Sequence, residues 1–253
     1  MNVLVVGDSC KDIFIYGNII RLTPEAPVPV FNPLRRTEND GMAKNVANNI
    51  EALNSNIYTI TNNNSIEKIR YVDDKSNQLV LRVDEHDYCK RISSLILSTI
   101  QNNKCHITMS GEVKVDAIVV SDYCKGFLTE DDIQWICKNN KNVFVDTKKK
   151  LGEWVCDADY LKINSLEYAE NKEFVDTMVS EKTIVTKGNE GCIFNGITYP
   201  TENVEVKDIS GAGDTFLAGL VVEYIRTSNI HRSIHFAQTC TKEVVQKHGV
   251  STV

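Results

Sequence analysis

Asp208-Ile209-Ser210-Gly211-Ala212-Gly213-Asp214, followed by the apolar run Thr215 to Val222, is the stretch on which the reading of this chain turns. Gly211, Ala212 and Gly213 leave three backbone N–H groups with almost no side chain over them, at the first turn of a predicted helix whose dipole favours negative charge. That is a cradle for an anion. Asp214 follows directly, and the same helix end is expected to hold it ionised, able to accept a hydroxyl proton while the cradle holds a transferring phosphoryl group. A Gly-x-Gly-Asp standing alone is more often a glycine turn before an acidic helix start, so the surrounding chain has to decide.

Outward from that stretch, 253 residues with 42% hydrophobic and 25% charged content suit one sizeable core, and a single domain over 1–253 is expected. A net charge of -6 argues against a general nucleic-acid or anionic-membrane surface. Strand-like residues begin at Val3 with no charged leader, and no stretch approaches a membrane span, so a soluble, cytoplasmic protein is expected. The eight cysteines form no CxxC pair and read as reduced, structural thiols. His231 and His235 share a helix face without an HExxH pattern, and zinc is not expected.

Val3-Leu4-Val5-Val6 ends in Gly7-Asp8, the pattern of a buried parallel strand opening onto a ligand crevice, with Asp8 and Asp12 just past its end. Neither GxGxxG nor GxxxxGK[ST] follows it. Asp12 is open between binding substrate hydroxyls and being an acidic turn residue. Residues 13–33 hold Pro24, Pro27, Pro29 and Pro33, which demand an extended path along an edge or surface, one piece of a lid. Residues 67–84 supply a second piece, a hairpin from the β-like runs 69–72 and 79–83. Helical spacing is read at Gly41 to Leu53, with Asn45 near its start, and at Ile92, Leu95, Ile96, Thr99 and Ile100 within 88–102. A loop surrounds Gly111. Strands at 57–61, 117–122, 143–146, 160–164 and 183–188 alternate with helices around 133–136 and 165–171. A hairpin region at 191–206 and helices at 213–227 and 232–247 finish the chain. The fold class is α/β, an open, mostly parallel sheet flanked by helices, with a small β-strand lid.

Three motifs stand in order at element ends. Asp208 to Asp214 looks like the C-terminal signature of the ribokinase/PfkB family of carbohydrate kinases, Gly41-Met42-Ala43-Lys44-Asn45 resembles its N-terminal Gly-Gly motif, and Asn164-Ser165-Leu166-Glu167 matches its Asn-x-x-Glu motif. The resemblance covers nearly the whole chain. Within the family, Arg21 to Val30, Ser121-Asp122-Tyr123-Cys124-Lys125-Gly126 and Val245 to Val253 look most like the heptose-7-phosphate kinases that feed ADP-heptose synthesis. The chain ends where that kinase domain ends, so the adenylyltransferase domain fused to some relatives is expected to be missing from it.

The resemblance implies Asp214 as catalytic base, Gly211, Ala212 and Gly213 as anion hole, and Asp12, Gly41 and Asn45 facing the sugar. It implies Asn164 and Glu167 at the Mg²⁺ and phosphate end, reaching the metal through water, with Thr186 and Gly188 lining the ATP site. For Asn164 and Glu167 an ordinary capping box stays open as the alternative. Asp208 and Ser210 occupy positions that in some relatives help form a monovalent-cation site. The lid of such kinases pairs two subunits, so a homodimer through the lid is expected, with a sugar or sugar phosphate and ATP as small-molecule partners. The implied reaction is phosphorylation of the anomeric hydroxyl of a heptose 7-phosphate or similar phosphosugar. Departures are Met42 for the second glycine, Ile209 for a small or hydroxyl residue, and a strand-and-helix segment lacking between Thr61 and Glu67. They keep two alternatives open: a kinase for another sugar or a nucleoside, and a catalytically silent sugar-phosphate binder.

Overall fold

In the computed structural model, which describes residues 1–107, 111–247 and 249–253, the first apolar run forms β1 (Asn2–Gly7). His248, within the C-terminal stretch named above, lies outside the described residues. Val3 and Val5 enter one apolar cluster and Leu4 and Val6 another, because side chains alternate across a strand that is covered on both faces. The chain continues through β2 (Ser9–Leu22), β3 (Pro29–Met42), α1 (Ala43–Ala52), β4 (Asn56–Thr61), β5 (Glu67–Asp73) and β6 (Leu79–Glu85). A single turn α2 (Ser94–Leu97) and a hairpin of β7 (Lys104–Ile107) and β8 (Gly111–Lys114) precede β9 (Ala117–Asp122). Then come α3 (Glu130–Asn139), β10 (Val143–Thr147), β11 (Tyr160–Asn164), α4 (Ser165–Phe174), β12 (Thr183–Thr186), β13 (Cys192–Phe194), β14 (Ile197–Tyr199), α5 (Ala212–Thr227) and α6 (Ile230–Val244).

The main sheet runs β14-β13-β12-β11-β10-β9-β1-β4, parallel from β4 to β12 and antiparallel only through β13 and β14. It is the open α/β sheet the alternating runs demand. α1, α5 and α6 cover one face through Val46, Ile50, Leu217, Leu220, Val221 and Ile234. On the other face α3 contributes Ile133 and Ile136. Gly219 lets the last two helices touch, since a Cβ there would lie 3.0 Å from Ala237 Cα. Strand β4 lies on one side of β1 and β9 on the other, so the order reverses at β1, and the ligand crevice of such sheets opens outside the carboxyl ends of these strands.

A second sheet, β3-β2-β5-β6, is built from the two segments read as lid pieces. Pro29 and Pro33 lie in β3, an edge strand, where a missing N–H breaks no interior ladder. β4 is an edge of the main sheet, and residues 62–66 carry the chain straight from it into β5.

Two local expectations need correction. The helical spacing in 88–102 yields only the four-residue α2, capped by Ser93. Ile92 and Ile100 enter the core separately, Leu95 and Ile96 face solvent, and backbone bonds Cys89 N→Lys125 O and Ile92 N→Phe127 O, both 2.8 Å, pull the segment's start into extended pairing. The expected loop around Gly111 is part of the β7–β8 hairpin, apart from residues 108–110, which are not described. Among the described residues no helix is long and apolar enough to cross a membrane.

Candidate active site

Gly211 starts α5 with φ +80°, and a Cβ on it would meet Asn45 Nδ2 at 2.6 Å, so both backbone shape and close approach require glycine. No side chain caps this helix start. The Ala212 amide turns back to Ile209 O at 3.2 Å, while the amides of Gly211, Gly213 and Asp214 are left open among the described residues. The cradle thus loses Ala212 N–H and gains that of Asp214. Lys162 closes its far side: a Cβ on Gly213 would be 2.8 Å from its ammonium.

Asp214 is buried at the third residue of α5 and accepts two hydrogen bonds, from Asn45 Nδ2 to Oδ2 at 2.8 Å and from the Tyr123 hydroxyl to Oδ1 at 2.6 Å. The helix end was expected to hold this carboxyl ionised. Burial instead raises it to about 6, against the lowering effect of the Tyr123 and Asn45 hydrogen bonds, with Asp146 adding to the rise and Lys162 opposing it. Desolvation wins because the helix dipole contributes only roughly 0.3–2 kcal/mol. A carboxylate poised near neutrality is suited to accepting and releasing a proton.

Tyr123 comes from the loop after β9, which Asp8 pins from the end of β1. The buried Asp8 carboxylate accepts the amides of Tyr123 (2.7 Å), Lys125 (3.2 Å) and Phe127 (3.2 Å). Burial first, and then Asp214, push the Tyr123 hydroxyl well above its ordinary value, so it stays a donor. Behind the cradle runs a charge network. Lys162 bonds Asp146 at 2.6 Å, Lys148 reaches the same carboxylate at 3.4 Å, and Lys148 also pairs with Glu167. Burial would raise Asp146, but the two lysines hold it below the usual carboxylate range.

Tyr123, Lys148, Lys162, Asn164, Thr186, Gly188, Ala212 and Gly213 line one cavity of about 720 Å³ that extends past Gly191, Val206, Phe216 and Lys242. Of the residues singled out in the sequence, it joins Asn164, Thr186, Gly188, Ala212 and Gly213. Asp214, Asn45, Asp12 and Gly41 lie outside its wall, the first two hydrogen-bonded to each other. Asp12 pairs with Arg70, and Gly41 sits so near that a Cβ would be 2.0 Å from Asp12 Oδ2. Asn164 and Glu167 form the capping box in full, and Glu167 spends its oxygens on the Asn164 amide (2.8 Å), Asn164 Nδ2 (2.7 Å) and Lys148. Among the described residues no cluster of three or more His, Cys, Asp or Glu could hold a metal. Asp208 accepts the amides of Ser210 (2.8 Å) and Gly249 (3.1 Å), tying the C-terminal tail to the turn.

Tyr123, Asp146, Lys148 and Lys162 were given no role from the sequence. Lys162 carried a legible signal, a lysine inside the apolar strand Tyr160-Leu161-Lys162-Ile163, since lysine is almost never buried unless paired.

Residues 55–253 match the pfkB family carbohydrate kinase. The chain belongs to that family. Among its relatives, the bifunctional protein HldE of Aliarcobacter butzleri (strain RM4018) is 30% identical over 303 residues, covering 99% of this chain and 62% of that protein. The HldE of Helicobacter pylori (strain J99) is 26% identical over 297 residues, covering 98% and 63%. This chain therefore spans about three-fifths of the length of these relatives. Arabidopsis thaliana ribokinase, solved with ribose and ATP, superposes with a TM-score of 0.71 at 14% identity, over 98% of this chain and 93% of that one. Ribokinase from Thermotoga maritima gives 0.69 at 18%, over 98% and 94%. The pfkB carbohydrate kinase thus has a ribokinase-like fold.

Proposed function

We propose that this chain transfers the γ-phosphoryl group of ATP to a hydroxyl of a phosphosugar, with Asp214 as base. The observation that carries the reading is a buried carboxylate in the first turn of α5, next to open amides and the Lys162 ammonium, directly behind Gly213 and Tyr123 in the wall of a cavity large enough for a nucleotide. The substrate O–H proton passes to Asp214, the sugar oxygen bonds to the γ-phosphorus, and the bond to the β-phosphate oxygen breaks to release ADP. Such a transfer needs positioning and charge neutralisation more than covalent help. Gly211, Gly213, Asp214 N–H and Lys162 supply these at the transferring group, and Thr186 and Gly188 flank the nucleotide.

The residues present fit Mg²⁺ carried by the nucleotide phosphates, which asks few protein ligands. Asn164, in the cavity wall, and Glu167, whose Oε2 accepts only the Asn164 amide among the described residues, would hold it through water, and it would neutralise phosphate charge. Asp12 and Gly41, on the second sheet acting as lid, and Asn45 at the start of α1 form the sugar side. A heptose 7-phosphate is the favoured substrate, supported by the resemblance of Arg21 to Val30, Ser121 to Gly126 and Val245 to Val253 and by the HldE relatives. The lid's other face carries Ile15, Ile69, Tyr71 and Leu81, with Leu81 54% exposed, which supports pairing of two copies through it.

The test is ADP release with Mg·ATP over a panel of sugars, sugar phosphates and nucleosides. Release that depends on a heptose 7-phosphate and disappears in Asp214→Asn supports the reading. Tight sugar-phosphate binding without ADP release identifies a silent binder, and turnover of a different acceptor moves the substrate assignment.

A further inference from the structure

Strands β2, β5 and β6 place Asp12, Lys68 and Asp84 side by side in register, with Phe14, Arg70 and Arg82 in the next row of the same face. Both carboxylates of this patch are already neutralised. Asp12 pairs with Arg70, and Asp84 takes Arg82 through two bonds, Nε to Oδ1 at 2.6 Å and Nη2 to Oδ2 at 2.7 Å. Lys68 is left over. The residue is only 8% exposed, yet its ammonium makes no ion pair or hydrogen bond among the described residues. It is not one of the fully buried polar atoms lacking a partner, so the ammonium itself keeps an opening to solvent. It lies 5.2 Å from the centre of the Tyr123 ring, whose hydroxyl holds Asp214.

Burying most of a lysine without an anion is costly, and cation–π contact with one ring returns only roughly 0.5–2 kcal/mol. The charge, which has no direct ion pair among the described residues and acts on Asp84 and Cys10 only from a distance, faces the sugar side of the site, next to Asp12. The lysines that border the nucleotide cavity are by contrast each in direct contact with a carboxylate, Lys162 with Asp146 and Lys148 with Asp146 and Glu167.

We propose that Lys68, supported by Arg70, is the subsite for a phosphate monoester that the sugar substrate already carries, distinct from the phosphoryl group being transferred. The inference rests on the kinase reading and deepens it by assigning the recognition of a phosphosugar to named residues. Arg70 shares Asp12 with the sugar hydroxyls, so docking the phosphate also fixes the carboxylate that orients the ring. Discrimination between a phosphosugar and its free sugar then resides in the lid.

The experiment has two arms, each comparing wild type, Lys68→Met and Lys68→Arg, with circular dichroism to establish that the variants fold. Calorimetry without nucleotide measures binding of a heptose 7-phosphate and of the free heptose. Steady-state assays measure kcat/KM for both with Mg·ATP. Loss of a charge-assisted contact is expected to weaken binding and kcat/KM for the phosphorylated sugar in Lys68→Met on the order of 10- to 100-fold more than for the free sugar, with substantial recovery in Lys68→Arg. Equal losses for both sugars, an unchanged preference, or a wild type that binds the free sugar as well as the phosphosugar overturns the proposal. If wild type binds the phosphosugar through Lys68 but releases no ADP, the kinase reading fails while the subsite stands.

Discussion

Replacing Tyr123 with Phe removes one hydroxyl from the site and leaves the ring in place. In the intact protein Asp214 sits at about 6 because burial raises it and the hydrogen bonds from Tyr123 and Asn45 pull it back. A hydrogen bond to a charged group is worth roughly 1.5–3 kcal/mol, and a pKa unit corresponds to about 1.4 kcal/mol. Without the Tyr123 donor the carboxyl is therefore expected to climb by about one to two units, to roughly 7–8. As the proposed base, Asp214 must be ionised to accept a proton, so activity is expected to fall as pH drops through its pKa. The acid limb of kcat/KM, which reports the free enzyme, should move from near 6 to that higher range, with rate recovered at pH 9. Two other ionisable groups that act on Asp214 keep their charge state across this window. Asp146 is held ionised by Lys162 and Lys148, and the Cys10 thiol, pushed up to about 12 by burial and then by Asp12, stays protonated. Direct quantification of ADP over pH 5–9 avoids pH-sensitive coupling enzymes. A limb that stays near 6, or a loss of rate equal at every pH, refutes the assignment of Tyr123 as the donor that sets this base.

Asp214→Asn should lower kcat by about 10² to 10⁴ and yet raise Tm at pH 7.5, because a carboxyl raised by some two units costs roughly 3 kcal/mol of stability where it is ionised. Scanning calorimetry reads the second effect, and a lower Tm counts against the burial argument. That cost fades as pH falls through about 6 toward the unfolded value of 3.8, so the variant's advantage should shrink there. Gly41→Ala places a Cβ 2.0 Å from Asp12 Oδ2 and 2.7 Å from Cys10 Sγ, and should raise KM for the sugar on the order of tenfold or more while sparing KM for ATP. Equal changes in both KM values would place Gly41 outside the sugar side. Light scattering at micromolar concentration should find a dimer that Ile69→Lys combined with Leu81→Lys converts to monomer, and a dimer indifferent to those charges excludes pairing through this face.

The parallel sheet was readable because strands buried on both faces must be largely apolar, as in β1 and β9, and because an aspartate stands at the crevice end of each, Asp8 just after β1 and Asp122 at the end of β9. The candidate site was readable only where one local stretch supplies its features. Glycines before Asp214 announce themselves, but Tyr123 matters through a carboxylate 91 positions away, and the loop bearing it is shaped by Asp8 from 115 positions away. No local pattern encodes such distances. The same loop explains the failed helix at 88–102, since Cys89 and Ile92 donate to its carbonyls and tertiary pairing overrides a helical spacing of apolar residues. Lys68 was hidden for a different reason. A lysine on an alternating strand reads as solvent-facing until the registered partners are known to be taken by arginines.

Met42 shows how a departure from a family pattern can leave a site intact. The second glycine of the Gly-Gly motif corresponds here to a residue with φ 58° and ψ -133°, backbone that side-chain-bearing residues avoid at a cost of roughly 1–3 kcal/mol. Retaining methionine in that conformation requires compensation, and its surroundings supply it. The side chain is 3% exposed and joins the apolar core with Leu4, Val6, Cys10 and Ile66. Burying a side chain of this size contributes roughly 1.5–3 kcal/mol, which matches the strain. The backbone therefore keeps the path that a glycine would take, Ala43 N still bonds Asp8 O at 3.0 Å, and Gly41 retains its contact with Asp12. The long side chain that departs from the family's glycine is absorbed by the core, and what lies against Asp12 remains a glycine.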